Sequence, residues 1–417
     1  MLKITIDLKK IWTFSLVLYI ICSTAFSYGD LKMLNTYALY FFLGVSVVNV
    51  LSRQRFSLNV VSISIIFYTA LLLIGLLYTP TAQSRVQGIM YNYITMAILA
   101  LCVVQYMEDV QDVKIIMTSF MLAGLALALH VYAQYGNEFW DILKEIADAE
   151  SGAVGRLDGG LANANTISMC AMISTIIAAY YLIFEKTGII KKLLLIAIAV
   201  FALIISMAAA SKKSLVLIVV SILGIWIYSV RGTHRIGRWL RDLLLLVLTI
   251  GIAVYLFGNI PLFSGVLSRF EEFVDMLKSG QGTTSDEFRM HMFTEGLEVW
   301  KDNLLFGAGT AASLYYFDVF SHSNVVEILM NTGIVGFFVF YAPYAVAGWR
   351  YMKNAAYYKQ YSKIAILLFS LFLSICVSGV AFVYYYDRYF MILMAVILSA
   401  TGCFAEKSTV GKTLKEG

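Results

Sequence analysis

His322, Asn324, Glu327 and Asn331 stand at the opening of an apolar run, in "FSHSNVVEILMNTGIVGFFVF" (residues 320–340). Asn324, Glu327 and Asn331 are spaced to share one stripe of a helix, and an ionisable residue within a membrane-embedded helix is a functional candidate by default. An imidazole with an ordinary pKa of about 6.5 accepts a proton from a hydroxyl near neutral pH, and a neighbouring carboxylate would raise its basicity. His322 is therefore read as a base acting on a hydroxyl such as that of a sugar, with Glu327 as a candidate partner. A local reading competes: Asn324 as N-cap with Glu327 three residues on forms a capping box that explains both residues. It leaves His322, which precedes the helix, and Asn331, two turns in, without a role.

The second chemical signal is positive charge. In "TTSDEFRMHMFTEGLEVWKDN", Thr284 precedes Glu287 by three residues, a helix-start signature, and the apolar residues then recur at helical spacing. With Arg289 at zero and about 100° per residue, Phe293, Gly296, Leu297 and Trp300 fall between about −20° and +80°. Phe288, Met292 and Val299 flank them on the other side, so Arg289 sits in the middle of the apolar arc. A guanidinium there either snorkels outward or enters a polar cavity holding an anion, and the central position favours the cavity. Lys212 and Lys213 form the turn in "AAASKKSLVL", Arg156 lies in "GRLDGGLANAN", and Arg388 follows Asp387 in "YYYDRYF". Several fixed cations on one face of a bundle suit a polyanionic group such as a diphosphate. Arg85, Arg156 and Arg388 singly are structural at least as readily, and Asp387 either pairs with Arg388 or orients a substrate.

These residues need a scaffold, and composition supplies its class. Of the 417 residues, 60% are hydrophobic and 14% charged, with a mean hydropathy of +0.79, whereas an ordinary soluble chain is about 45–50% apolar and about 25% charged. The chain is an all-α integral membrane protein, read as one polytopic domain over 1–417. Spans of about 20 apolar residues fall near 11–28, 34–50, 58–77, 89–106, 113–134, 163–184, 193–210, 214–229, 240–258, 323–348, 364–383 and 388–404, twelve in all. With both termini in the cytoplasm, most of the 31 lysines and arginines lie on the cytoplasmic side. The candidate residues then fall on the outer side, and residues 259–322 form a large extracytoplasmic loop bearing the amphipathic helix. The first span, after "MLKITIDLKK", reads as a retained anchor. The five cysteines all lie in predicted spans without a CxxC pair, which indicates neither a disulfide framework nor a zinc site. A net charge of +5 is explained by topology and anionic membrane lipids, and no nucleic-acid partner is implied.

No DxD, P-loop, GxSxG or HExxH occurs. The ordered series does resemble the O-antigen ligase and O-antigen polymerase superfamily of membrane glycosyltransferases: "GRLDGGLANANTIS", "AAASKKSLVLIV", "FRMHMFTEGLEVWKDNLLFGAGT" and "HSNVVEILMNTGIVG", together covering about Gly155 to Gly336. The resemblance implies a GT-C-type helical bundle that uses an undecaprenyl-diphosphate-linked glycan, with inverting chemistry and no metal or other cofactor. It implies that Arg289 and Lys212 or Lys213 hold the diphosphate, that His322 acts on the acceptor hydroxyl, and that Asp387 assists. Members commonly carry arginine in the outer turn where this chain has two lysines, which keep the charge and lose the fork geometry.

Within the superfamily, polymerases join one lipid-linked repeat unit to another, and ligases move a finished glycan to a different acceptor. A tyrosine-rich composition leaning to lysine and isoleucine points to an AT-rich genome and favours a capsule or exopolysaccharide polymerase, with a flippase and a chain-length regulator of the same pathway as expected partners. A multi-span transporter or lipid-linked oligosaccharide flippase fits the span number equally well. Against it, the candidate residues gather at the outer side, away from the midplane where coupling sites lie.

Overall fold

The computed structural model describes residues 7–27, 29–54, 56–148, 157, 163–209, 211–230, 244, 271, 274 and 284–413. Among them there is no strand. The helices are α1 (Leu8–Ala25), α2 (Lys32–Arg53), α3 (Val60–Gly75), α4 (Gln83–Tyr106), α5 (Val110–Tyr135), α6 (Phe139–Asp148), α7 (Ala164–Phe184), α8 (Ile189–Ala208) and α9 (Lys212–Val230). After the segment outside the description come α10 (Thr284–Asp302), α11 (Ser313–Tyr316), α12 (Asn324–Lys353), α13 (Ala355–Tyr361), α14 (Ile364–Ser378) and α15 (Arg388–Thr413).

Short polar residues set the helix starts. Asp7, Asn59, Asp109 and Asn163 accept hydrogen bonds from the first backbone N–H groups of α1, α3, α5 and α7, which otherwise lack partners. Eight described helices are long and apolar enough to cross a membrane, and α3, α14 and residues 388–404 of α15 are shorter apolar helices. Eleven of the twelve expected spans correspond to helices; the other, 240–258, lies outside the described residues apart from Leu244. The turn expected at Lys212 and Lys213 is instead the first turn of α9.

α1 packs on α2 and α5, α7 on α5, α8 and α9, α9 on α14, α3 on α12, and α4 on α15. Carboxylates tie the helix ends together where α1 begins: Glu108 and Asp112 bind Lys9, Glu108 also binds Arg53, and Glu185 binds Lys114. The far end carries the start of α4, α9, α12 and α15.

At that far end, the expected external loop is knitted into the bundle over its described part. Residues 303–312 run between the end of α3 and the start of α12. Thr310 donates through Oγ1 to Leu72 O (2.5 Å), and Thr79 and Thr81 donate to the carbonyls of Thr310 and Ala311 (2.7 and 2.8 Å). On the other side the strap enters α12 itself. Gly333 has φ +62° and ψ −162° inside that helix, and the break lets Ile334 N and Val335 N donate to Leu304 O and Leu305 O (2.9 and 3.2 Å) while Ala308 N donates to Met330 O (2.7 Å). A Cβ at Gly333 would lie 2.4 Å from the Leu305 carbonyl, and one at Gly307 would lie 2.6 Å from the Asn331 backbone. Glycine is required at both positions by contact and by positive φ. Gly333 thus admits a loop into the helix.

Candidate active site

The polar stripe of α12 is built first, because it places everything beside it. Glu327 is fully buried, and its carboxylate accepts from Ser313 Oγ (2.6 Å), Ser321 N (2.8 Å) and Asn331 Nδ2 (3.1 Å). Asn331 also donates to Tyr385 Oη (3.0 Å) and accepts from Ala312 N (3.0 Å). Asn324 accepts from Tyr384 N and Tyr385 N (3.1 and 2.9 Å) and donates to Tyr341 Oη (3.0 Å). The expected capping box is absent: Ser323 is the N-cap, and Glu327 turns to Ser321. These polar groups replace lost hydration by clamping loop 311–323 and loop 379–387 onto the helix.

The clamp presents His322. Its neighbours Ser321 and Ser323 are buried, its own φ is +60°, and its ring reaches a cleft of about 300 Å³. An unbranched side chain with positive φ is an uncommon conformation held by its surroundings, the kind that clusters at functional sites. The cleft is lined by Lys212 and Lys213 from α9, Asp286, Arg289 and Phe293 from α10, the 321–323 segment, and Val380 and Ala381 beyond α14.

α10 reaches this position by packing on α12. Gly296 lets Val326 and Met330 come close, a Cβ there meeting Val326 Cγ1 at 2.4 Å. Val299, Ala308, Ala312, Val326 and Met330 form the apolar contact, with Phe293 and Leu297 against it. The buried line of α10 is Met292, Gly296 and Val299, which holds Arg289 at the cleft beside it. Phe288 is exposed, so the buried arc is narrower than the sequence pattern suggests.

Sequence reasoning passed over Asp286. It is 6% exposed, and its carboxylate meets Lys212 Nζ at 2.7 Å and Arg289 Nη1 at 3.4 Å. The available signal was its i, i+3 relation to an arginine already singled out. Lys213 Nζ lies 4.8 Å from the Phe382 ring centre, a cation–π contact. Burial, then the positive charges of Lys213 and Arg289, lower the His322 pKa to about 4. This reverses the expected effect of a neighbouring carboxylate: the charges nearest the ring are cations, so the imidazole is neutral at physiological pH.

The structure therefore brings together Lys212, Lys213, Arg289 and His322. Glu327 and Asn324 stand behind them in the clamp. Asp387 accepts through Oδ1 from Tyr389 N and Phe390 N (3.0 and 3.2 Å), which caps α15, and burial raises its pKa to about 6. Neither Asp387 nor Arg388 lines the cleft. Arg156 lies outside the described residues. Arg85 is taken by Asp318 at 2.6 Å. His291 pairs with Glu295 on the exposed side of α10, and His130 binds Ala25 O at 2.6 Å.

A multi-span helical bundle with a basic cleft and a strained, neutral histidine at one end is the setting in which the comparison with known families falls. Residues 194–341, from α8 into α12, match the family model described as O-antigen ligase. That match agrees with the superfamily that the motif series resembles, and the matched segment contains Lys212, Lys213, Asp286, Arg289 and His322. No curated protein matches the chain.

Proposed function

We propose that this chain is a membrane glycosyltransferase that elongates a polysaccharide, moving an undecaprenyl-diphosphate-linked glycan onto a sugar hydroxyl of a second lipid-linked repeat unit. The observation that carries this reading is the convergence of His322 with Lys213 and Arg289 in one cleft, seen both in the shared lining and in the effect of the two cations on the imidazole. Lys212, Lys213 and Arg289 would take the diphosphate, and the acceptor hydroxyl would lie against His322. The acceptor oxygen forms a bond to the anomeric carbon as the bond to the diphosphate oxygen breaks. The imidazole receives the hydroxyl proton, and the departing negative charge is met by the cations. Attack opposite to the leaving group inverts the anomeric centre, and the side-chain cations do the work otherwise given to a divalent ion.

The depressed histidine pKa fits this scheme in one specific way. A base that binds protons only near pH 4 is a weak acceptor. A diphosphate seated against Lys213 and Arg289 offsets the two charges that depress it, so donor binding raises the basicity of His322. Glu327 is a positioning residue here, since it acts through Ser321 on the segment that displays His322. The cleft faces the outer side in this reading, which the distribution of basic residues favours, and α10 with the 321–323 segment supplies one of its walls. The bundle is then of the GT-C type.

One experiment tests the reaction class. Purified full-length protein in lipid vesicles is given a synthetic undecaprenyl-diphosphate repeat unit, with and without chelator. A ladder of longer lipid-linked products in both conditions is expected. Transfer only to a different added acceptor would make it a ligase, and movement of the lipid across the bilayer without any new glycosidic bond would end the enzyme reading.

A further inference from the structure

The opposite end of the bundle contains a second and larger cavity, about 1060 Å³. It opens between the beginning of α1, the ends of α2, α4 and α12, and residues 399–403 of α15. Arg53, Glu108, Arg350 and Lys353 are its charged lining residues. Two of the four are matched, since Glu108 binds Arg53 as well as Lys9. The other two are not. Among the described residues, the hydrogen-bond partner of Arg350 is the hydroxyl of Thr401, with Nη1 3.5 Å away, and Lys353 rests 4.4 Å from the centre of the Trp349 ring. No described carboxylate pairs with either.

Two further observations make this a recess with capacity. Ser399, nine-tenths buried and part of the lining, has a hydroxyl with no hydrogen-bond partner. A buried polar atom without a partner is a site where a missing ligand or water belongs. Arg350 is half-buried, and a guanidinium withdrawn from water with one neutral partner retains four or so donor directions suited to phosphate oxygens. Trp349, an exposed lining residue, supplies an amphipathic ring of the kind that sits at headgroup depth.

We propose that this cavity is a binding site for a phosphate-bearing anionic headgroup, with Arg350 and Lys353 as the charge partners and Thr401 and Ser399 as hydroxyl partners. Basic pockets between membrane helices at a cytoplasmic surface recognise such headgroups. The site is separate from the cleft around His322, and the proposal stands whatever chemistry that cleft performs. The phosphate can belong to a membrane lipid or to a soluble molecule, and the test separates the two.

Native mass spectrometry of the full-length protein in detergent, with phosphatidylglycerol, phosphatidylcholine or inorganic phosphate added, reads the site directly. Retention of phosphatidylglycerol over phosphatidylcholine is expected, reduced about fivefold by each of Arg350→Ala and Lys353→Ala. Persistence of the bound lipid in millimolar inorganic phosphate assigns the site to membrane lipid; displacement assigns it to a soluble phosphate compound. Equal retention of the two lipids, or undiminished phosphatidylglycerol in the double variant, overturns the proposal. Lys353 is exposed, so Lys353→Gln carries the test if Arg350→Ala does not fold.

Discussion

Two groups of polar residues lie side by side at the start of α12 and differ in one respect. In the clamp, Asn324, Glu327 and Asn331 spend their hydrogen-bonding capacity on loop backbone, serines and tyrosines. In the cleft, three cations and Asp286 surround an open volume, and His322 is held at positive φ with its ring neutral. Both groups would look alike as a list of polar residues near a membrane helix. The difference teaches that polar groups closed on one another hold a scaffold together, whereas the cleft collects several cations around one carboxylate, Asp286, which is the arrangement the proposed diphosphate site needs.

Substitutions can break that contrast or sharpen it. The largest effect expected is on turnover: His322→Ala should lower polymer formation by about 10²–10⁴-fold while leaving the unfolding temperature of the detergent-purified protein unchanged. Unchanged chain length and yield would remove His322 from the chemistry. Glu327→Ala should do the reverse at the level of stability. It strands Ser313 Oγ, Ser321 N and Asn331 Nδ2, at about 1–3 kcal/mol for each unsatisfied donor, and thermal unfolding would show it; a wild-type melting curve with lost activity would move Glu327 into the cleft chemistry.

Gly333→Ala tests the strap that enters α12. The added methyl meets the Leu305 backbone at 2.4 Å and must adopt a strained φ costing about 1–3 kcal/mol before any clash is counted, so a lower unfolding temperature and faster proteolysis near residues 303–312 are expected. Arg289→Ala should weaken binding of an undecaprenyl-diphosphate donor by about 1.5–3 kcal/mol, the worth of hydrogen bonds to charged groups, read as a rise in KM. Activity at a normal KM would place the diphosphate elsewhere.

The smallest effect concerns pH. His322 in the free protein is deprotonated above about pH 4, so kcat/KM should stay level down to that value and fall below it as the ring takes up a proton. With donor bound, the cations are offset and the histidine pKa rises, so the acid limb of kcat should lie at higher pH. Identical limbs for the two parameters would contradict the coupling between donor charge and imidazole basicity.

Much of this was legible in the chain itself. Sustained apolar runs of about 20 residues admit only membrane helices, because unpaired backbone groups cannot be left in lipid. Arg289 in the apolar arc and His322 ahead of α12 stand out by residue type and position, and both reach the cleft. Side-chain partners were decided only in three dimensions. The capping box was a local inference, and it lost because Ser323 takes the N-cap while the Glu327 carboxylate accepts from Ser321 N just ahead of the helix, from Ser313 and from Asn331. Asp387 and Arg388 share a helix end with the cleft residues in sequence terms, yet Asp387 caps α15 and neither residue lines the cleft. The sign of the histidine shift also depended on folding, since it follows first from burial of the ring and then from the cations that α9 and α10 bring near it. Hydropathy and periodicity act along a chain and are read from it; Coulomb and hydrogen-bond terms depend on distances between segments far apart in sequence, and those distances exist only once the helices have packed.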